Sequence, residues 1–180
     1  MEKPFDTIPY LESERIILKK IERSDAGALD ELRKSPGVYK YLPTFLFERK
    51  CRDIYYVIEQ MYGECFENRE SIHLGIFLRD GITFCGIGEM YGYREEIRKI
   101  SMGYRLLERF WGKGIATEAV GLMVDYLYNR TDTGIITAST MTENKASANV
   151  LKKNGFIMTV SGAEEDWGFD GPTIADKWFR

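Results

Sequence analysis

The sequence predicts an α+β fold built on a mostly antiparallel sheet. Three observations predict it. From Ile72 to Leu106 the chain is a succession of short β-branched and aromatic runs, broken by turn signals. On either side of that run, apolar residues recur at helical spacing, most clearly over Phe47 to Asn68 and Ile115 to Tyr128. No internal repeat, low-complexity tract or linker interrupts the 180 residues, which fit a single domain over 1–180.

Taken in order, Arg15 to Lys20 reads as a short β-branched first strand. Ser24 then caps a helix running to about Lys34, with Asp25 in its first turn and Pro36 just past its end. One long helix is expected from about Phe47 to Asn68, because Ile54, Val57, Ile58, Met61, Cys65 and Phe66 form an apolar stripe. Strands follow at Ile72–Leu78, Thr83–Tyr91 and Lys99–Leu106, the first two joined by a hairpin turn at Asp80-Gly81. Ile115 to Tyr128 forms a helix with Ala119, Leu122, Met123, Tyr126 and Leu127 facing inward. A strand from Gly134 to Thr140, a helix from Glu143 to Asn154 ended by Asn154-Gly155, and strands at Phe156–Val160 and Ile174–Phe179 complete the chain.

Composition narrows the function classes. Hydrophobic residues make up 44% of the chain and aromatic residues 13%, enough for a substantial core. A formal net charge of −3 argues against a general nucleic-acid binder. Three cysteines without a Cys-x-x-Cys spacing read as reduced thiols, and a single histidine makes a structural zinc site improbable, so no metal is expected. Met1 to Asp6 carries no apolar run, which points away from a signal peptide or membrane segment and toward a cytoplasmic protein.

The chemistry concentrates in Glu108-Arg109-Phe110-Trp111-Gly112-Lys113-Gly114-Ile115-Ala116-Thr117-Glu118-Ala119. A basic glycine loop running into a helix binds anions, because the first helical N–H groups lack intrahelical partners and lie at the positive end of the helix. Gly112 and Gly114 let the backbone approach closely, and Arg109 and Lys113 add charge, so a pyrophosphate fits. Two other phosphate loops fail here. A P-loop needs an earlier glycine, and the dinucleotide fingerprint needs a third glycine where Thr117 stands.

From Met102 to Val160 the chain resembles the GCN5-related N-acetyltransferases, and within them the branch that acetylates ribosomal-protein N-termini. The resemblance is carried by Gly103-Tyr104, by Trp111 to Ala119, by Glu143-Asn144-Lys145-Ala146-Ser147, by Val150-Leu151 and by Asn154-Gly155-Phe156. Ser13 to Leu18 also resembles that branch's opening strand. The family's loop pattern, Arg/Gln-x-x-Gly-x-Gly/Ala, is met by Arg109, Gly112 and Gly114. The resemblance implies a sheet of about seven strands, splayed in the middle and flanked by about four helices. It implies acetyl-CoA as co-substrate, with Met102, Tyr104, Arg109, Trp111, Gly112, Lys113, Gly114, Ile115, Ala116, Thr117, Asn144 and Ser147 around it. Strands near Met102–Leu106 and Ile135–Thr140 would part to admit the pantetheine arm. Asn144 would bind that arm, and Ser147 would protonate the departing thiolate; many relatives use a tyrosine there, and this helix has none. Homodimer formation is a habit of the family.

Direct attack by an amine needs no protein nucleophile, consistent with the absence of a Ser-His-Asp set. Glu89 is the leading general-base candidate, expected to have a raised pKa beside an apolar site, against the alternative of a solvent-facing strand carboxylate. Glu164, Glu165 and Asp166 are rivals, or a solvated loop. His73, between Ile72 and Leu74, reads as a structural histidine, with a role in the site as the alternative. Arg109 has Glu108 and Glu118 as alternative surface partners, Asn144 can be a plain N-cap and Ser147 an ordinary helix serine, and Trp111 reads as packing under the loop or as shielding the pyrophosphate with its edge. Tyr41, Phe45, Phe47 and Tyr91 are candidates for the acceptor cleft or for plain core. The acceptor is a primary amine, a protein N-terminus by the resemblance or a small amine such as a polyamine, amino acid or aminoglycoside. A non-catalytic acyl-CoA-binding module is the reading from a different class. Nucleic acid and membrane are not expected partners.

Overall fold

The computed structural model describes residues 1–180. Eight strands form one sheet: β1 (Leu11–Glu12), β2 (Ile16–Lys20), β3 (Ser71–Leu78), β4 (Phe84–Arg94), β5 (Lys99–Leu106), β6 (Ile135–Met141), β7 (Ile157–Glu165) and β8 (Thr173–Phe179). Their spatial order is β1-β2-β3-β4-β5-β6-β8-β7, and every pair is antiparallel except β5 with β6. The eighth strand, beyond the seven expected, is the two-residue β1, which pairs with β2. The hairpin at Asp80-Gly81 forms as the dipeptide requires: Asp80 Oδ1 accepts from Ile82 N and Thr83 N, both at 2.8 Å, and Gly81 takes φ +69°.

Six α-helical segments flank the sheet, against about four expected: α1 (Ala26–Lys34), α2 (Phe47–Lys50), α3 (Ile54–Tyr56), α4 (Tyr62–Glu67), α5 (Ile115–Arg130) and α6 (Lys145–Lys153). The excess comes from the long helix expected over Phe47 to Asn68. The chain leaves the helix at Cys51 and Asp53 restarts it, its Oδ1 accepting from Tyr55 N and Tyr56 N. Arg33 of α1 holds the gap open by donating to the carbonyls of Cys51 (2.6 Å) and Arg52 (3.2 Å), which a continuous helix would have paired itself. A π-helical turn, Val57–Met61, then joins α3 to α4. The cap at the first helix also differs. Asp25, not Ser24, closes the turn before α1, accepting from Glu22 N at 2.8 Å.

The core is one cluster of 39 buried hydrophobic residues, with Phe77, Leu18, Ile87, Met90 and Ile100 on the sheet and Ala119, Met123 and Leu127 on α5. Each fully buried large side chain contributes about 1.5–3 kcal/mol. For function, the decisive feature is where the sheet opens. β5 and β6 pair only over Lys99–Ser101 with Ile135–Thr137. Beyond that point they part, and β6 is held by β8 from Thr137 to Met141. A hydrogen bond of 2.9 Å between the Ser101 and Thr137 hydroxyls closes the fork. No helix is long and apolar enough to cross a membrane.

Candidate active site

The fork opens into a cavity of about 1430 Å³. One wall is Met102 to Leu106 of β5, another Thr137 to Thr140 of β6, and the N-terminus of α5 lies at the mouth. Gly112 (φ +70°) and Gly114 (φ +79°) take the left-handed backbone that only glycine adopts freely, and Gly114 is the residue before α5. The N–H groups from Gly112 through Thr117 find no acceptor within the chain; Glu118 N is the first to be satisfied, by Gly114 O at 3.1 Å. Such a row of free donors at a helix start has the chemistry to bind an anion. Arg15 braces it by donating to Lys113 O (3.1 Å) and to Glu118 Oε2 (2.7 Å). Asn154 ties α6 to the same turn by donating to Thr117 O at 3.1 Å.

A family model described as an acetyltransferase (GNAT) domain matches residues 15–157. The chain belongs to the GNAT acetyltransferases. As an N-acetyltransferase of this type it is similar to p20 of Bacillus licheniformis, named an N-acetyltransferase, at 31% identity over 148 residues and 81% of each chain. Its fold is similar to that of RimL, a ribosomal L7/L12 α-N-protein acetyltransferase solved with coenzyme A (TM-score 0.81, 16% identity, 96% of this chain and 97% of that one). It is likewise similar to the Vibrio cholerae spermidine N-acetyltransferase solved with coenzyme A and spermine (TM-score 0.77, 15% identity, 93% and 96%).

In this acetyltransferase the cavity is lined by Met102, Tyr104, Trp111, Gly112, Gly114, Ile115, Ala116, Thr117, Asn144 and Ser147 among the expected site residues. Arg109 and Lys113 are not among the lining residues. Arg109 turns away to pair with Glu31 of α1, rather than with Glu108 or Glu118, because Glu31 faces it across the loop. Trp111 does not pack under the loop; it is 49% exposed and donates to Leu106 O at 2.8 Å. Asn144 caps α6, its Oδ1 accepting from Ser147 N at 3.1 Å, and also lines the cavity. A tyrosine does reach Ser147, from β5 instead of the helix: Tyr104 OH donates to Ser147 Oγ at 3.3 Å. Burial raises the Tyr104 hydroxyl's pKa, against a smaller lowering by the Ser147 hydrogen bond, so the phenol holds its proton.

The inner end of the cavity is a charged network that the sequence did not reveal. Arg105 of β5 lies buried between Glu48 of α2, which meets its Nε at 2.5 Å, and Glu89 of β4, which accepts from its Nη1 at 3.0 Å. Tyr39 OH donates to Glu48 at 2.9 Å, Tyr62 OH approaches it at 3.4 Å, and His73 Nε2 meets Glu89 Oε1 at 3.3 Å. Glu89 is thus neither solvent-facing nor of raised pKa. Burial pushes its carboxyl up, but His73 and Arg105 together outweigh burial and hold it at about 2. The same carboxylates outweigh burial at Arg105 and raise its pKa.

His73 is buried, as a structural histidine would be, yet it lines the cavity beside Glu89 and stacks on Tyr62 with ring centroids 4.2 Å apart. Of the rival carboxylates, Glu164 and Glu165 lie in β7 rather than in a loop. Glu165 lines the cavity, pairs with Lys177 and accepts from Ser139 Oγ (3.1 Å) and Trp167 Nε1 (2.5 Å). Tyr41, Phe45, Phe47 and Tyr91 all line the cleft. Over it, Thr44 N donates to Trp167 O at 2.8 Å and Thr44 Oγ1 to Gly168 O at 2.9 Å, joining the loops from the two halves of the sheet.

A partial local signal did exist for one contact in the network. The Asp80-Gly81 hairpin sets β3 beside β4, with Phe77 facing Phe84, but it takes a bulge between Ile76 and Phe77 to shift the register so that His73 faces Glu89. For Glu48 no such signal exists, because α2 reaches Arg105 only through the tertiary fold.

Proposed function

We propose that this acetyltransferase moves the acetyl group of acetyl-CoA to the α-amine of a protein or peptide N-terminus, by direct attack within a ternary complex, as a member of the branch resembling RimL. The observation that carries the donor assignment is the row of unsatisfied N–H groups from Gly112 to Thr117 at the mouth of the fork. A pyrophosphate satisfies those donors, and the unpaired edges of β5 and β6 suit an amide-bearing arm between them. Acetyl-CoA supplies the activated acyl carbon. The chain's own groups do the rest: Tyr104 and Ser147 stand together to protonate the leaving sulfur, and Glu89, kept ionised, accepts a hydrogen bond from the incoming amine.

The charge inventory of the cleft favours an acceptor with one amine over a polycation. Among its carboxylates, Glu48 and Glu89 are held by Arg105 and His73, and Glu165 by Lys177. Glu70 and Asp166 also line the cleft without an ion pair, but so do Lys99 and Lys153, so a polyamine's further ammonium groups would meet as many unpaired cations as unpaired carboxylates. The aromatic rim of Tyr41, Phe45, Phe47 and Tyr91 suits peptide side chains.

The test is to incubate the protein with acetyl-CoA and either a peptide with a free N-terminus or spermidine, following thiol release and product mass. Faster turnover of the peptide is expected. Preference for spermidine would overturn the N-terminal acceptor, and thiol release with neither would overturn amine acetylation.

A further inference from the structure

We propose that Glu89, His73 and Ser71 form the relay that takes the proton off the acceptor's ammonium, with His73 as the group that stores it. The proposal deepens the acetyl-transfer reading and rests on it. An amine enters mostly as ammonium at neutral pH and must lose a proton before it attacks. Glu89 by itself is a poor store, since both its oxygens are already engaged, Oε2 by Arg105 Nη1 at 3.0 Å and Oε1 by His73 Nε2 at 3.3 Å.

The imidazole beside it has two nitrogens that face different partners. Nε2 lies 3.3 Å from Glu89 Oε1, and Nδ1 lies 3.5 Å from Ser71 Oγ. An ionised carboxylate only accepts, so the neutral ring directs Nε2–H at Glu89 and leaves the Nδ1 lone pair toward Ser71. Ser71 and His73 both line the cavity. In the step, one N–H bond of the ammonium breaks and its proton passes to Ser71 Oγ while the Ser71 hydroxyl proton bonds to Nδ1. The products are neutral amine, an intact serine hydroxyl and imidazolium, and the charge is conserved. The amine then attacks the thioester, the carbon–sulfur bond breaks, and the second amine proton leaves with the thiol through Ser147 and Tyr104. His73 returns its proton to solvent after each turnover.

Every charged or titratable neighbour bears on the stored charge. From β4 Glu89 pairs with the ring, and behind it stand Arg105 of β5 and Glu48 of α2. From α4 come the stacked Tyr62 and the Cys65 thiol, with Glu70 just beyond, and Tyr39 closes the far side on Glu48. Two carboxylates against one guanidinium leave the inner Glu48–Arg105–Glu89 group one negative charge in excess. A buried uncompensated charge is costly, so this group favours the docking of one further cation, the acceptor's ammonium.

Nitrogen NMR reads the arrangement directly, because the chain has one histidine. In the wild-type protein the neutral ring is expected as the Nε2–H tautomer; an Nδ1–H tautomer overturns the relay. For the kinetics, the acceptor is whichever of the free-N-terminus peptide and spermidine turns over. His73→Gln is expected to lower kcat/KM about 100-fold and remove its acidic limb, and Ser71→Ala to lower it about 10-fold, with affinity for coenzyme A unchanged in both. Folded variants within about two-fold of wild type, limb intact, would overturn the relay while leaving acetyl transfer standing. A wild-type protein that neither binds coenzyme A nor acetylates either probe would sink the transferase reading itself, and the relay with it.

Discussion

Arg105 governs the inner site because it is the one cation shared by two carboxylates on different elements. Breaking such a buried group by removing one partner costs about 3–5 kcal/mol, since an unpaired charge is left behind. The same geometry sets the acid stability of the protein. Glu89 is held at about 2 when folded, against an ordinary value of 4.5, so the folded state favours its ionised form. That contribution is complete above pH 4.5 and is lost as the pH falls through about 2. Urea unfolding across this window should show wild type losing stability more steeply than Glu89→Gln. Equal acid slopes in the two proteins would contradict the depressed carboxyl.

The loop entering α5 shows how far local sequence reaches. Its glycines and the helix behind them were legible, because the need for positive φ and the apolar spacing are both local properties. The structure also decides which substitution tests the loop. A side chain at Gly114 would meet Arg15 Nη2 at 3.2 Å and disturb the brace, whereas a Cβ at Gly112 meets nothing within 4 Å. Gly112→Asn and Gly112→Asp therefore share the same backbone cost, about 1 kcal/mol, and differ in charge alone. The expected outcome is near-normal affinity for coenzyme A in the Asn variant and at least about a 10-fold loss in the Asp variant, measured by calorimetry. Equal affinities would remove the anion-site assignment. What was not legible depended on distant partners. The break at Cys51 needs Arg33, Arg109 finds Glu31, and the tyrosine beside Ser147 comes from the strand across the fork.

The whole molecule is a sheet that opens at one point, with a row of unpaired N–H groups at the mouth of the fork, the Tyr104 and Ser147 hydroxyls along its wall and a charged cluster at its inner end. Short-range patterns predicted the hairpins and the order of elements, and the resemblance carried by the glycine loop and the Asn144–Ser147 segment supplied the fork. Neither could supply the inner cluster, which exists only once α2, α4, β3, β4 and β5 converge. The bridge from Thr44 to Trp167 and Gly168 likewise joins residues far apart in sequence. The central claim is that the fork and its loop form a coenzyme A site. Calorimetric titration of the purified protein with acetyl-CoA, coenzyme A and ATP tests it most directly. The account predicts micromolar binding of both coenzyme A species and none of ATP; no binding of either coenzyme A species would contradict it.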